Sequence, residues 1–191
     1  MIIKQAEFIK SVADKENFIK SDMPQIAVCG KSNVGKSSFI NMISNNSKLA
    51  RTSNTPGRTR LINYFDFKDF ILTDLPGYGF AKVNKTEKEK WGELIETYLR
   101  NEKKLRRVLM LVDIRHDPTE DDKLFLKFLN FYRIPFNIIA TKSDKLTKTK
   151  IKPQVQTIAE KLGVGIDNIT VVSSVNRQGK EDALKLIFGV I

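Results

Sequence analysis

The sequence predicts an α/β domain: a mostly parallel sheet with one antiparallel edge strand and helices on both faces. Three observations carry this. Six short apolar runs rich in β-branched residues alternate with stretches of helical periodicity. Two of those runs are separated by only a short polar turn. A glycine-rich loop joins the first run to the first helical stretch. Strands alternating with helices of this length imply βαβ units.

The elements follow in order. "QIAV" (25–28) is a short apolar strand, followed by a helix over 36–45. "LINYFDF" (61–67) and "FILTD" (70–74) flank Lys68 and Asp69, which reads as a hairpin and makes one strand antiparallel. "RVLMLVD" (107–113), "FNIIAT" (136–141) and "ITVVS" (169–173) are continuous apolar runs, as expected of parallel strands covered on both faces. Helices are expected over 86–102, 119–131, 150–162 and 179–189. Thr119, followed by Asp122, suits an N-cap with acidic first-turn partners. Pro153 suits a first turn, which places that helix's start near 150–152. Trp91, Leu94, Ile95, Tyr98 and Leu99 share one helical face, read as core or switch support in preference to an RNA-stacking surface. Residues 1–24 show no strand partner and are expected to pack on or flank a domain spanning 25–191.

At 191 residues the chain has the length of one domain with a full core. Runs such as Val108–Val112 fall far short of the roughly 18 apolar residues of a membrane helix. The N-terminus alternates charged with apolar residues and lacks a signal-peptide core. With Cys29 the only cysteine, no intrachain disulfide can form, and the expected location is the cytoplasm, without a membrane partner. Cys29 itself reads as a small core residue, and His116, the only histidine, as a solvated loop residue rather than a base. Charge is the informative quantity: 33 Lys and Arg against 22 Asp and Glu give a net +11. Such an excess favours a polyanionic partner, nucleic acid first, over a uniform coat of solvated lysines. Its distribution is lopsided: Lys48–Arg60 carries four basic residues and no acid, whereas Asp113–Asp122 holds five acids.

"GKSNVGKS", Gly30–Ser37, matches G-x-x-x-x-G-K-[ST] after a strand and before a helix. Glycines let successive N–H groups turn toward phosphate oxygens, and the helix start adds its positive end. Lys36 would then reach the β- and γ-phosphates and Ser37 would offer a hydroxyl to Mg²⁺. "DLPG", Asp74–Gly77, closes a strand; Asp74 can hold Mg²⁺ through water and the Gly77 N–H can sense the γ-phosphate. "TKSD", Thr141–Asp144, selects the base. A carboxylate accepts from both guanine N1–H and N2–H₂, a donor pair that adenine lacks, and the Lys142 stem can cover the purine. "VSS", Val172–Ser174, ends the last strand, where the Ser174 N–H can meet guanine O6. A metabolic P-loop kinase or ATPase is disfavoured by Asp144.

Order and spacing resemble a translation-factor-class P-loop GTPase. More narrowly, "GKSNVGKSSFIN", "NTPGRTRLINYF", "DLPGYGFAKV", "IPFNIIATKSDKL" and "VVSS" resemble the EngB/YihA/YsxC ribosome-biogenesis GTPases, from about Met23 to the C-terminus. The resemblance implies a single Ras-like domain that hydrolyses GTP to GDP while the large ribosomal subunit matures, with that subunit or its precursor rRNA as partner and the protein a monomer. It implies a phosphate loop of Gly30, Lys31, Ser32, Asn33, Val34, Gly35, Lys36, Ser37 and Ser38. Switch I would comprise Pro56, Gly57, Arg58 and Thr59, and switch II Asp74, Leu75, Pro76 and Gly77. Base recognition would fall to Thr141, Lys142, Ser143, Asp144, Val172, Ser173 and Ser174. Mg²⁺ would be held by Ser37, Thr59 and Asp74, and the chemistry would use Lys36, Asn33, Thr59 and Gly77. Thr59 is preferred over Thr55 and Thr52 as the switch I hydroxyl. Thr141 stands where many GTPases have Asn, and Tyr78 where Ras-type enzymes have the water-orienting Gln, so slow intrinsic hydrolysis is expected. Asn33 is either a K⁺ ligand or a loop-compatible residue. Lys82, Lys85, Lys88 and Lys90, beside switch II, are either rRNA contacts or solvated. The alternative function is an RNA-binding assembly module in which GTP is a structural effector with negligible turnover.

Overall fold

The computed structural model describes residues 3, 5–50, 61–78 and 85–191, the side chains of 85–91 excepted. Its strands are β1 (Glu7–Val12), β2 (Gln25–Gly30), β3 (Ile62–Asp66), β4 (Ile71–Asp74), β5 (Leu105–Asp113), β6 (Phe136–Thr141) and β7 (Ile169–Val171). Helices are α1 (Lys36–Ser44), α2 (Lys85–Asn101), α3 (Glu120–Phe131), α4 (Lys148–Leu162) and α5 (Lys180–Phe188). The strands form one seven-stranded sheet in the order β1-β3-β4-β2-β5-β6-β7.

The central strands show why the fold is two-faced. Successive residues of a strand point to opposite sides. Ala27, Cys29, Val108, Met110, Val112, Ile138 and Ala140 therefore face the layer formed by α2, α3 and α4. Their neighbours Ile26, Val28, Leu109, Leu111 and Ile139 face α1 and α5. Leu94, Ile95, Tyr98 and Leu99 are buried in the first layer, in agreement with a core-facing α2. There the Tyr98 hydroxyl lies 2.9 Å from both Gln25 Oε1 and Thr73 Oγ1, a buried polar clasp between α2, β2 and β4.

Among the described residues the one reversed strand is β3, antiparallel to both β4 and β1. It lies one place in from the edge, because Glu7–Val12, in the segment without a predicted partner, forms the outermost strand. That strand is mostly exposed and shows no apolar–polar alternation, so its pattern carries little signal; of its residues only Val12 is buried.

The α3 start is as expected: Thr119 and Asp122 form a reciprocal capping box. α4 differs. It begins at Lys148, which puts Pro153 inside the helix instead of its first turn. The ring costs the bond to the Thr149 carbonyl, and Thr149 is exposed, so solvent takes that acceptor.

Parallel strands that enter from one side deliver their C-terminal loops to one edge of the sheet. Residues 30–35, 74–78, 113–119, 141–145 and 172–178 follow β2, β4, β5, β6 and β7 there.

Candidate functional site

The loop after β2 is built around two glycines that no other residue could replace without movement. A Cβ on Gly30 would stand 2.8 Å from the Leu111 carbonyl oxygen, and Gly35 has φ 106. Asn33 has φ 61, a left-handed conformation that asparagine tolerates, and it is exposed. Val34 N–H donates to the Lys31 carbonyl at 3.1 Å and closes the loop. Gly35 then caps α1, whose first residue is Lys36 and whose first turn holds no acid. First-turn N–H groups have no intrahelical acceptors and carry the positive end of the helix, so this turn is suited to an anion.

Lys36 Nζ lies 3.6 Å from Asp74 Oδ1, with the two side chains 13% and 5% exposed. Burial pushes the Asp74 carboxyl above its usual range, and Lys36 and Asn63 draw it only partly back. Asp74 Oδ1 has no hydrogen-bond donor among the described residues. A buried carboxylate oxygen without a donor is unfavourable. Together with the Ser37 hydroxyl at the helix start, it fits a hydrated divalent cation. Among the described residues no group of three or more His, Cys, Asp or Glu side chains is placed to hold a metal. Such a cation would therefore rely largely on water and phosphate oxygens beside the protein hydroxyls.

The segment after Asp74 is clamped against the loop. Leu75 N–H donates to the Val28 carbonyl at 2.9 Å, and Leu75, Pro76 and Gly77 are buried. A Cβ on Gly77 would lie 3.2 Å from the Ser32 nitrogen. Tyr78 N–H donates to the Gly30 carbonyl at 3.3 Å, and Ser32 N–H donates to the Tyr78 carbonyl at 3.2 Å. The Tyr78 hydroxyl donates to Asp122 Oδ1 at 2.8 Å, and its ring stacks on Phe125 with centroids 5.1 Å apart. Burial raises this hydroxyl well above its usual pKa. Tyr78 thus points its phenol into α3.

The loop after β6 is tied to the loop after β2 at two points. Thr141 Oγ1 lies 2.7 Å from the Val34 carbonyl oxygen and 3.0 Å from that of Val112. Lys142 Nζ donates to the Asn33 carbonyl at 2.7 Å and pairs with Asp113 Oδ2 at 2.9 Å. Ser143 N–H reaches the Val172 carbonyl at 3.2 Å, and Ser143 is itself buried. Asp144 Oδ1 accepts from Ser173 Oγ at 2.7 Å, and that bond holds the carboxyl below its usual range. Ser173 is held in turn: its hydroxyl accepts from the N–H groups of Val175 and Asn176, and its own N–H donates to Gln178. Ser174 follows, half-buried.

Asp113 belongs to no sequence motif, and only the fold reveals its role. Burial would push its carboxyl up, but hydrogen bonds from Arg115 and Lys142 outweigh that and hold it at about 2. An unfolded aspartate titrates near ~4, so this group contributes about 1–2 kcal/mol of stability after allowance for solvent screening. The contribution is fully present above pH ~4 and lost as pH falls toward ~2. Asp113→Asn should therefore lose about 1–2 kcal/mol at neutral pH and show a flatter acid limb, read from urea midpoints at pH ~7 and pH ~3. Asp122, read from sequence only as a capping partner, also receives Tyr78, a contact between residues 44 apart that no local pattern reveals.

Lys31 and Ser32 line, with Asn33, Asp113 and Thr119, a cavity of about 330 Å³ whose rim includes the exposed His116. Ser38 is exposed on α1, and Cys29 is buried, its thiol pushed up by burial. Thr52, Thr55, Pro56, Gly57, Arg58, Thr59 and Lys82 lie outside the described residues, as do the side chains of Lys85, Lys88, Lys90 and Trp91.

A family model described as "50S ribosome-binding GTPase" matches residues 25–142. The "Probable GTP-binding protein EngB" of Clostridium kluyveri is 47% identical over a 193-residue alignment covering 100% of this chain and 98% of that one. Its counterpart from Streptococcus pneumoniae is 46% identical over 180 residues, covering 93% and 92%. Among solved structures, a crystal structure of a probable GTP-binding protein EngB has a TM-score of 0.72 at 27% identity, covering 86% of this chain and 97% of that one. Era in complex with MgGDPNP and nucleotides 1506–1542 of 16S ribosomal RNA also gives 0.72, at 20% identity over 88% of this chain and 56% of that one, and shows the same fold. With the loop after β2, the aspartate after β4 and the aspartate after β6 gathered on one edge of the sheet, these matches establish that the chain belongs to the EngB family of GTP-binding proteins, within the P-loop GTPases.

Proposed function

We propose that the chain binds GTP with Mg²⁺, hydrolyses it to GDP and phosphate, and uses that cycle as a switch in assembly of the large ribosomal subunit. One observation carries the reading. Lys36 and Asp74 are paired beside the phosphate loop, while Thr141 and Lys142 fasten the loop bearing Asp144 to Val34 and Asn33. That arrangement supports a single site bordered by three charged groups from three loops.

In this reading the backbone of residues 30–38 and the Lys36 ammonium bind the phosphates, and Asp144, oriented by Ser173, reads the guanine edge while Ser174 N–H meets O6. Thr141 acts as the tie that sets the distance between phosphate loop and base loop. Mg²⁺, held by Ser37, Asp74 through water and Thr59 of switch I, would neutralise charge on the β- and γ-phosphate oxygens. Lys36 would exchange its Asp74 partner for phosphate, and Gly77 N–H would meet the γ-phosphate. Residues 25–191 form the nucleotide-binding body and residues 1–24 an extension that lends the sheet its outer strand. The protein acts as a cytoplasmic monomer on an rRNA-rich partner. Its net charge of +11 supports that partner.

A second reading, GTP as a structural effector with negligible turnover, is favoured by Tyr78, whose phenol is engaged with Asp122 and leaves the water-orienting role unfilled. Multiple-turnover rates with and without large-subunit particles, in KCl and in NaCl, separate the two. The switch predicts stimulation by particles. A further rise in KCl would add K⁺ held by Asn33. Unstimulated, cation-independent turnover would favour the effector. Nucleotide identity is tested by filter-binding titrations, in which GTP should outcompete ATP by about 100-fold or more; equal affinity would contradict the base-reading role of Asp144.

A further inference from the structure

α3 carries an apolar stripe that the nucleotide site does not use. Phe131 is 78% exposed and Leu124 67%, two turns apart on one face. Between and beneath them runs a row of rings. Phe125 and Phe128 lie 6.2 Å apart, Phe128 and Tyr132 4.7 Å, and Phe131 stands edge-on to Tyr132 at 4.9 Å. Arg100 covers Tyr132 at 4.7 Å from the ring centroid.

The surroundings of Phe131 are cationic. Residues 123–135 hold no acid, and with Lys123 paired to Glu120 at 2.7 Å the cations beside the ring are Lys127 and Arg133. The nearby Glu96 is neutralised by Arg100 at 3.0 Å. Lys127 and Arg133 are exposed. Arg133 has φ 55, a left-handed position just past the helix that glycine adopts more readily, so folding alone does not select a cation there. One ring and one leucine also offer much less than the ~800 Å² per side that a stable protein partner buries. A single exposed ring with two exposed cations within four residues of it is the scale of one unpaired base.

We infer that the exposed end of α3 is a docking platform for single-stranded RNA, in which Phe131 stacks on an unpaired base while Lys127 and Arg133 hold the flanking phosphates. The inference rests on the ribosomal reading above and names the chemistry of its contact. The guanine-nucleotide site is untouched by it, so every variant should bind GTP like the wild type.

The test uses the full chain, a fluorescein-labelled unstructured RNA of about 12 nucleotides, an RNA duplex of about 12 base pairs and purified large-subunit particles. The single strand should bind more tightly than the duplex. Phe131→Ala should weaken single-strand and particle binding by about tenfold with little change in salt slope, and Phe131→Trp should preserve both. Lys127→Ala with Arg133→Ala should lower affinity and make the salt slope shallower by about 1 to 2. Unchanged single-strand affinity in Phe131→Ala would overturn the platform, and if particles still bound, the ribosomal reading would stand. Loss of particle binding alone would assign the face to a ribosomal protein and likewise overturn it. Phe131-dependent binding of the single strand without any binding to particles would support the platform and count against the ribosomal reading.

Discussion

Asp144→Asn should weaken GTP by about three orders of magnitude and give xanthosine triphosphate the higher affinity. The carboxylate offers two acceptors to the two donors of guanine, and each charge-assisted bond is worth about 1.5–3 kcal/mol. Asparagine would present one donor opposite another donor, which leaves a desolvated N–H unpaired. Xanthine has an oxygen at position 2 and accepts that donor. The surrounding bonds make this a clean exchange. Ser173 Oγ now donates to Asp144 Oδ1 and can donate equally to an amide oxygen, so the loop need not rearrange. Parallel titrations with both nucleotides check it, and tight GTP binding by the variant would remove the base-recognition argument.

Lys36→Ala should have the second-largest effect, in two quantities at once. Triphosphate affinity should fall by about 100-fold or more, through loss of a charge-assisted contact in a site of low polarity. The nucleotide-free chain should also lose about 3 kcal/mol, because Asp74 is left as a buried carboxylate without its cation. Asp74→Asn should act oppositely on stability. Its folded pKa is raised, so the ionised group opposes folding. That penalty is absent at pH values where the carboxyl is protonated in both states, and it grows as pH rises through the raised value. Removing the charge should thus raise the neutral-pH melting temperature of the nucleotide-free chain, while Mg²⁺-dependent GTP binding is lost. The double variant Lys36→Ala, Asp74→Asn should melt above Lys36→Ala alone. Thermal melts with and without nucleotide read all three.

The legible parts of the fold are those that one physical signal determines. Val108–Val112 and Phe136–Thr141 are apolar at nearly every position because parallel strands are covered on both sides, and the hairpin across Lys68 follows from two strands with almost no connection. The phosphate loop is legible because Gly30 and Gly35 are imposed by close approach and positive φ. Strand β1 is not, since an edge strand that buries only Val12 resembles a surface segment. The Pro153 expectation fails because a proline is tolerated deeper in a helix where the freed carbonyl faces water. Sequence alone casts Thr141 as a base-contacting substitute for asparagine. Its hydroxyl also bonds the Val34 and Val112 carbonyls, contacts set by strand order that the local sequence does not show. The Arg115–Asp113–Lys142 group and the Tyr78–Asp122 bond are hidden from the sequence for the same reason.

The most direct measurement is a crystal structure of the chain with Mg²⁺ and a non-hydrolysable GTP analogue. The account predicts one ligand touched at both ends: Lys36 Nζ on its β- and γ-phosphate oxygens, Asp74 released toward the metal's water, and Asp144 accepting from its guanine N1–H and N2–H₂. An analogue bound without Asp144 on the base, or with Lys36 still paired to Asp74, would contradict it.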